Sequence, residues 1–428
     1  MFYLVYNLLS PLLVLPLCIL HLVQVFRGTA PPFGERFGLI SKGALAKLAG
    51  RPAIWLHAVS LGELIAARPL LKELRAAAPG HALVVSCSTV TGRRLADSLP
   101  ELIDVSICFP FDFLPVVNHA LKRIAPKLII VMETEIWPNF TRQAARRGIP
   151  LVLANGRISD RSFPRYRRLS WFFRDSLTLF SRLCMQSDAD RERIIAIGAR
   201  PESCQTAGNL KYDIPSRQVD DDERRALRCS FSLPPESLIM VAGSTHGGED
   251  QPVIDAYRRL CSEGADLFLV LAPRHPQRVG EAESLLQEAG IAWRRRSSTV
   301  SGAGAQYSGE VLLLDTIGEL MDLYALSDLV FVGGSLVPVG GHNLLEPASV
   351  GAPSLFGPHM NNFREITRLV LEYGAGIQLS SPGALHDAWR EMILCPELRR
   401  VLGQNGLKLM RDTGGATARH MGVIGNYL

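Results

Sequence analysis

The chain has 428 residues, 47% of them hydrophobic, and a net charge of +5. That length exceeds one ordinary core and predicts two domains, while the apolar content and scattered glycines exclude a disordered or fibrous chain. The eight cysteines stand singly, with no metal-ligand or redox spacing, so reduced thiols in a cytoplasmic compartment are expected rather than a disulfide scaffold.

Residues 2–26 carry no formally charged side chain and are rich in Leu, Val and Ile. At about 1.5 Å per residue such a helix reaches across a bilayer core, with kinks at Pro11 and Pro16. A cleavable signal peptide would need a basic start, which is missing. Arg27, Arg36, Lys42, Lys47 and Arg51 follow the segment, so the positive-inside rule keeps the rest of the chain in the cytoplasm. The prediction is an uncleaved membrane anchor over residues 1–27; a shallow interfacial helix is the alternative.

From Ala53 onward, apolar runs alternate with helical patterns. AIWLHAV, ALVVSCST, KLIIVMET and PLVLAN read as strands buried on both faces, as parallel strands are. Between the first two, Leu64, Ala67, Leu71 and Leu74 form one helical stripe. This alternation predicts a doubly wound domain over residues 33–214. Residues 215–235 are polar, charged and framed by prolines, and read as a linker. The alternation restarts over 236–412 with SLIMVAGS, LFLVLAPRH, VLLLDT and LVFVGGS, and residues 413–428 are expected as a final helix that may return to the first domain. Two such domains in tandem predict a cleft faced by the carboxyl ends of their strands.

Loops at these strand ends hold the suggestive chemistry. In HAVSLGEL, Glu63 opens a helix just after a strand. Such a Glu either complements the helix dipole or, partly desolvated, serves as a general base. In VMETEIWPNF, Glu133 and Glu135 end an apolar strand and would share a face if the strand extended that far. GNLKYD offers Lys211 to neutralise a carboxylate or phosphate. In GSTHGGED, Gly243, Gly247 and Gly248 permit close backbone approach to an anion, and APRHP supplies Arg274 as a fork for phosphate. The glycine spacing matches neither the dinucleotide-binding nor the P-loop pattern. His246, His275 and His342 are too dispersed in sequence to specify a metal site, and no metal is expected.

The stretch VGGSLVPVGGHNLLEP, residues 332–347, reads as a strand end, a glycine-rich turn and a helix opening at His342 or Asn343. That combination is an anion site. Glu346 inside it suits ribose hydroxyls better than phosphate. Between Ile136 and Arg182, ten arginines face only Asp160 and Asp175, an excess that calls for an acidic partner. No nucleic-acid module accompanies it, so no nucleic acid is expected, and a phosphorylated lipid or a membrane surface fits better. Here Arg157, Arg161, Arg165, Arg167 and Arg168 mix with Phe163, Tyr166, Trp171, Phe172 and Phe173, a combination suited to a membrane interface.

Taken together, HAVSLGE, ETEIWPN, GNLKYD, GSTHGGED, APRHP and GGHNLLEP resemble the 3-deoxy-D-manno-octulosonic acid (Kdo) transferase family along essentially the whole chain. The resemblance implies the α/β GT-B glycosyltransferase architecture, two Rossmann-like domains facing a cleft. It implies an inverting enzyme of the lipopolysaccharide pathway that moves Kdo from CMP-Kdo to a lipid A precursor (lipid IVA) at the cytoplasmic face of the inner membrane. No bound cofactor is implied; CMP-Kdo is the donor substrate. By the same resemblance Glu63 matches the catalytic base, and Glu133 and Lys211 match transition-state stabilisers. Pro273 and Arg274, then Gly318, Glu319 and Leu320, then Asn343, Leu344, Leu345 and Glu346 match CMP-binding segments. The competing readings are another GT-B nucleotide-sugar enzyme, such as an epimerase or a different lipid glycosyltransferase, and a non-catalytic membrane-tethered nucleotide-binding protein.

Overall fold

Parallel strands are covered on both faces and therefore read as continuous apolar runs. In the computed structural model of the chain, which describes residues 2–13, 16, 33–48, 50–214, 217, 219–298 and 310–428, such segments build two parallel seven-stranded sheets. The chain divides into two compact units, one of Met1–Asp213 with Thr413–Leu428, the other of Ile214–Asp412.

The first sheet contains β1 (Ala53–His57), β2 (Ala82–Cys87), β3 (Val105–Cys108), β4 (Pro126–Met132), β5 (Leu151–Gly156), β6 (Arg182–Met185) and β7 (Cys204–Thr206), in the order β3-β2-β1-β4-β5-β6-β7. Every residue of β1 is buried. Ala53 and Trp55 face one core layer with Phe140 and Phe180, and Ile54 and Leu56 face the other with Leu64 and Leu71, the period of two that a strand imposes. Trp55 is fully buried, so truncating it to Ala would cost about 3–5 kcal/mol. Its indole N–H donates to the Ser86 hydroxyl at 2.8 Å, which satisfies the polar atom.

At the N-terminus, α1 (Phe2–Leu9) is followed by a short turn of helix, Ser10–Leu13, that contains Pro11. The anchor expected over 1–27 is thus interrupted early, and its residues 1, 14–15 and 17–27 lie outside the described residues. Among the described residues no helix is long and apolar enough to cross a membrane. The residues of α1 make contacts within the first unit. The Tyr6 hydroxyl donates to the Asp112 carboxylate at 2.8 Å, and the Arg142 guanidinium lies 4.4 Å from the centre of the Tyr3 ring. Leu4, Leu8 and Leu12 remain 70–76% exposed.

Further along, α2 (Leu61–Ala77) buries Leu64, Ala67, Leu71 and Leu74 as its stripe predicts, and α3 (Pro138–Arg146) follows β4. Phe163, Tyr166 and Phe173 of the arginine-rich segment pack against the core, and Phe172 meets Tyr6 edge-on. The expected basic-aromatic surface therefore reduces to Trp171, 60% exposed, beside exposed Arg157, Arg161, Arg165, Arg167 and Arg168. The other aromatics are spent on packing a short helix pair onto the sheet.

In the second unit, α4 (Asp221–Ser230) lies within the segment read as a linker. It has no buried residues, which explains the polar composition, and Arg224 fixes it by donating to the Leu326 carbonyl at 2.9 Å. The sheet comprises β8 (Leu238–Thr245), β9 (Leu267–Pro273), β10 (Trp293–Arg295), β11 (Val311–Leu313), β12 (Leu329–Val332), β13 (Ser354–Phe356) and β14 (Gly376–Gln378), ordered β10-β11-β9-β8-β12-β13-β14. Helices α5 (Leu320–Leu326) and α6 (Leu345–Ser349) belong to it.

The last helix, α7 (Ala416–Ile424), returns to the first unit and lends Ala416, Val423 and Ile424 to its core. Its first amides are capped by Asp213, whose carboxylate accepts from Gly415 N–H at 2.6 Å and Ala416 N–H at 3.1 Å, the preferred charge at a helix start. His420 is fully buried. Its Nε2 accepts from the Asn155 amide at 2.9 Å and its Nδ1 donates to the Ala416 carbonyl at 2.7 Å. Burial lowers its pKa to about 4, so it works as a neutral imidazole with one fixed tautomer.

Candidate active site

In an open parallel sheet, ligands bind beyond the carboxyl ends of the strands, where the strand order reverses. In the first sheet that point lies between β1 and β4, which are hydrogen-bonded neighbours. The loop after β1 leads to Ser60, whose hydroxyl accepts from the Glu63 amide at 3.3 Å. The Glu63 carboxylate turns back to accept from the Val59 amide at 2.8 Å and the Ser60 hydroxyl at 3.2 Å. This is capping-box chemistry, and alone it would hold the carboxyl low. Burial instead pushes Glu63 up to about 7, and the nearby Glu133 and Glu135 carboxylates add to the rise. The residue that complements the helix dipole therefore also carries a raised pKa.

The other carboxylates arrive by a turn. β4 ends at Met132, so Glu133 and Glu135 are not brought together by strand alternation as the sequence suggested. Glu133 instead takes a left-handed φ of 54°, a conformation that costs a non-glycine residue about 1–3 kcal/mol and gathers at functional sites. The Lys211 ammonium, from the turn Leu210–Tyr212, lies 3.3 Å from the Glu133 carboxylate. Glu135 accepts from the Trp137 indole at 2.9 Å, and burial raises its pKa, with Glu133 adding to the effect. Beyond this turn α3 has no cap of its own. Asp112 supplies one, accepting from the Asn139 amide at 2.9 Å and the Phe140 amide at 2.8 Å. Burial pushes Asp112 up to about 6.

The corresponding point of the second sheet lies between β8 and β12. Here Glu249 organises the glycine-rich turn. Its fully buried carboxylate accepts backbone N–H bonds from His246 at 2.9 Å, Gly334 at 2.6 Å, Ser335 at 2.9 Å and Leu336 at 2.8 Å. The turn read as a phosphate cradle thus already holds an anion, and it is the protein's own. The expected helix start also moves: α6 begins at Leu345 and has only five residues, because Gly340 and Gly341 both take positive φ and keep His342 and Asn343 in the loop. Gly243 serves packing rather than anion approach, since a Cβ there would stand 2.1 Å from the Tyr324 hydroxyl.

What the loops converge on is a cluster of bases. His246 and His342 meet through their Nε2 atoms at 2.9 Å, and the His246 and His275 rings lie 5.8 Å apart. These histidines, dispersed in sequence, are assembled by the strand order. Among the described residues no group of three or more His, Cys, Asp and Glu side chains is arranged to hold a metal ion. Arg274, exposed just past β9, acts electrostatically on both His342 and Glu346. Burial raises the Glu346 pKa, opposed by Arg274 and by an Asn343 hydrogen bond. Leu344 and Leu345 are fully buried and Pro273 ends β9 inside the sheet, so their side chains face the core. The Glu319 carboxylate is bound by Arg296 at 2.8 Å, and the Glu319 carbonyl accepts from the Leu323 amide at 3.2 Å. Glu249 and the histidine pair were missed from sequence; the one available signal was that GSTHGGED and GGHN each follow a strand.

The family described as "3-Deoxy-D-manno-octulosonic-acid transferase (kdotransferase)" matches residues 32–214. The chain is 33% identical over 397 residues to the 3-deoxy-D-manno-octulosonic acid transferase of Haemophilus influenzae, covering 92% of this chain and 91% of that protein. It is 31% identical over 404 residues to the transferase of the same name from Bordetella pertussis, with 92% and 91% covered. Among solved structures, Acinetobacter baumannii MurG superposes with a TM-score of 0.55 at 14% identity, covering 88% of this chain and 99% of that one. That likeness concerns the fold alone, which is the GT-B architecture.

Proposed function

The chain belongs to the 3-deoxy-D-manno-octulosonic acid transferase family and is a glycosyltransferase with a nucleotide-sugar donor; from that premise we propose that it moves Kdo from CMP-Kdo to a lipid A precursor with inversion. The observation that carries this reading is Glu63, a carboxyl held near neutrality at the switch point of the first sheet. A general base works best when its pKa lies near the operating pH.

In this mechanism Glu63 takes the proton of the attacking sugar hydroxyl while that oxygen bonds to the anomeric carbon. The bond from that carbon to the phosphate oxygen breaks, and its electron pair leaves with CMP. Charge separates at both ends, so placed charges matter more than covalent intermediates. Lys211, paired with Glu133, stabilises the developing charge, Arg274 neutralises the phosphate, and Glu346 accepts from the ribose hydroxyls. The exposed leucines of α1, Trp171 and the arginines from Arg161 to Arg168 support seating on the anionic cytoplasmic face of the inner membrane. The direct test incubates the full-length protein with CMP-Kdo and tetraacylated lipid A precursor and follows CMP release and lipid mass. Release of CMP with the lipid gaining Kdo is expected; an unchanged lipid mass would defeat the reading.

A further inference from the structure

The contact between His246 and His342 has a chemical requirement. Two imidazole nitrogens 2.9 Å apart are bonded only if one donates and the other accepts, so the pair in this state holds a single proton between its Nε2 atoms. The ring planes are 12° apart. Gly334 backs onto both rings: a Cβ there would lie 3.0 Å from His342 and 3.4 Å from His246. The pair is thus braced against the turn that Glu249 fixes.

A second proton is opposed by burial and by neighbouring cations. Burial is the leading cause for both rings; His342 also faces Arg274, His246 and His275, and His246 faces His275, Arg278 and Arg274. Glu249 is the acid that favours charge on His246, and its oxygens are already taken by four backbone amides. Arg274 donates its backbone N–H to the Thr245 carbonyl at 2.9 Å, while its guanidinium has no hydrogen-bond or ion-pair partner among the described residues. The cluster therefore presents bases and a guanidinium that acts on Glu346 without a direct bond to it.

We propose that His246 and His342 form a proton-linked anion site, which takes up one proton as the phosphate of CMP, free or within the donor, binds beside Arg274. This rests on the donor-site reading above and deepens it. With the added proton both Nε2 atoms carry hydrogen, so their mutual bond must open and both N–H groups turn to the phosphate. As the donor's bond to phosphate breaks, these N–H groups meet the charge that builds on the departing oxygen, while the acceptor's proton goes to Glu63. Departure of CMP returns the pair to its one-proton contact.

Titration calorimetry of CMP into the full-length protein at pH 7.5, in buffers of differing ionisation enthalpy, reads the proton count directly. A phosphate monoester is mostly dianionic there, its second pKa being about 6. About one proton should be taken up per CMP, and CMP affinity should weaken toward tenfold per pH unit as pH rises. Cytidine, which lacks the phosphate, should bind without uptake. His246→Gln and His342→Gln, measured separately, should each bind CMP with uptake near zero. CMP binding with no uptake, equal uptake with cytidine, or uptake unchanged in both variants would overturn the proposal and leave the donor-site reading standing. Absence of any CMP binding would instead remove the donor-site reading itself. The wild-type comparison of CMP with cytidine decides the linkage even if one variant fails to fold.

Discussion

The Lys211 ammonium lies 3.3 Å from the Glu133 carboxylate and so ties the turn after β7 to the turn after β4. Glu133 also helps keep Glu63 protonated. Glu133→Gln should therefore lower the Glu63 pKa and move the acid limb of kcat/KM to lower pH. Turnover should fall about tenfold or more, because Lys211 loses its anchor. The pH profile of the variant is the check, and an unmoved limb would separate the two carboxylates electrostatically.

Wild-type activity should fall as pH drops below about 7, because burial and the neighbouring carboxylates favour the protonated form of Glu63, which is no base. Glu63→Gln should cost about 10²–10⁴-fold in turnover while CMP affinity stays within error. Lost CMP binding would make Glu63 a donor ligand.

The same shift has a stability consequence. The folded pKa of Glu63 lies above its unfolded value, so its contribution is fully present below the unfolded pKa of 4.5 and is lost as pH rises through about 7. At pH 8 Glu63→Gln should be more stable than wild type by about 1 kcal/mol, a figure discounted for partial solvation. The difference should vanish near pH 4. Urea midpoints at the two pH values measure it.

Glu249→Gln replaces two acceptor oxygens by one and turns an amino group toward backbone N–H donors. With four amides involved, a loss of about 2–4 kcal/mol is expected, together with weaker CMP binding as the turn loosens. A wild-type denaturation midpoint would contradict the role given to this carboxylate.

Tyr6→Phe removes the donor that fastens α1 to Asp112 but leaves the two amides of α3 on that carboxylate. The cost should be only about 1 kcal/mol, felt locally. Faster proteolysis within residues 2–13, with an unaltered global midpoint, is the expected signature.

Reversing the charges of Arg161, Arg165, Arg167 and Arg168 should weaken binding to anionic liposomes, by about 1 kcal/mol or more for each residue that reaches the surface. Co-sedimentation with and without anionic lipid tests it; equal binding would remove this segment from the membrane contact.

The sheets were legible because both faces of a parallel strand are apolar, as in β1 and β9, whose residues are all buried. Glu63 was legible as a position but its raised pKa was not, since that depends on burial and on Glu133 and Glu135, some 70 residues away in sequence. The partner of the glycine-rich turn was hidden for a similar reason. The turn's amides are satisfied by Glu249, about 85 positions earlier, and no local pattern announces that partner. His246 and His342, 96 positions apart, meet because β8 and β12 are neighbours, and strand order is a property of the folded chain.

The return of α7 has a consequence for biosynthesis. Ala416, Val423 and Ile424 complete the same core layer as Ile54 and Leu56, and His420 bonds the Asn155 amide. α7 follows the second unit in the chain, so the first unit cannot be finished until the whole second unit has been synthesised. Until then a nascent chain exposes the apolar seat of α7. Chains stopped short of residue 413 should therefore be clients of chaperones and proteases, whereas a single cut between the units leaves both halves joined through the second crossing.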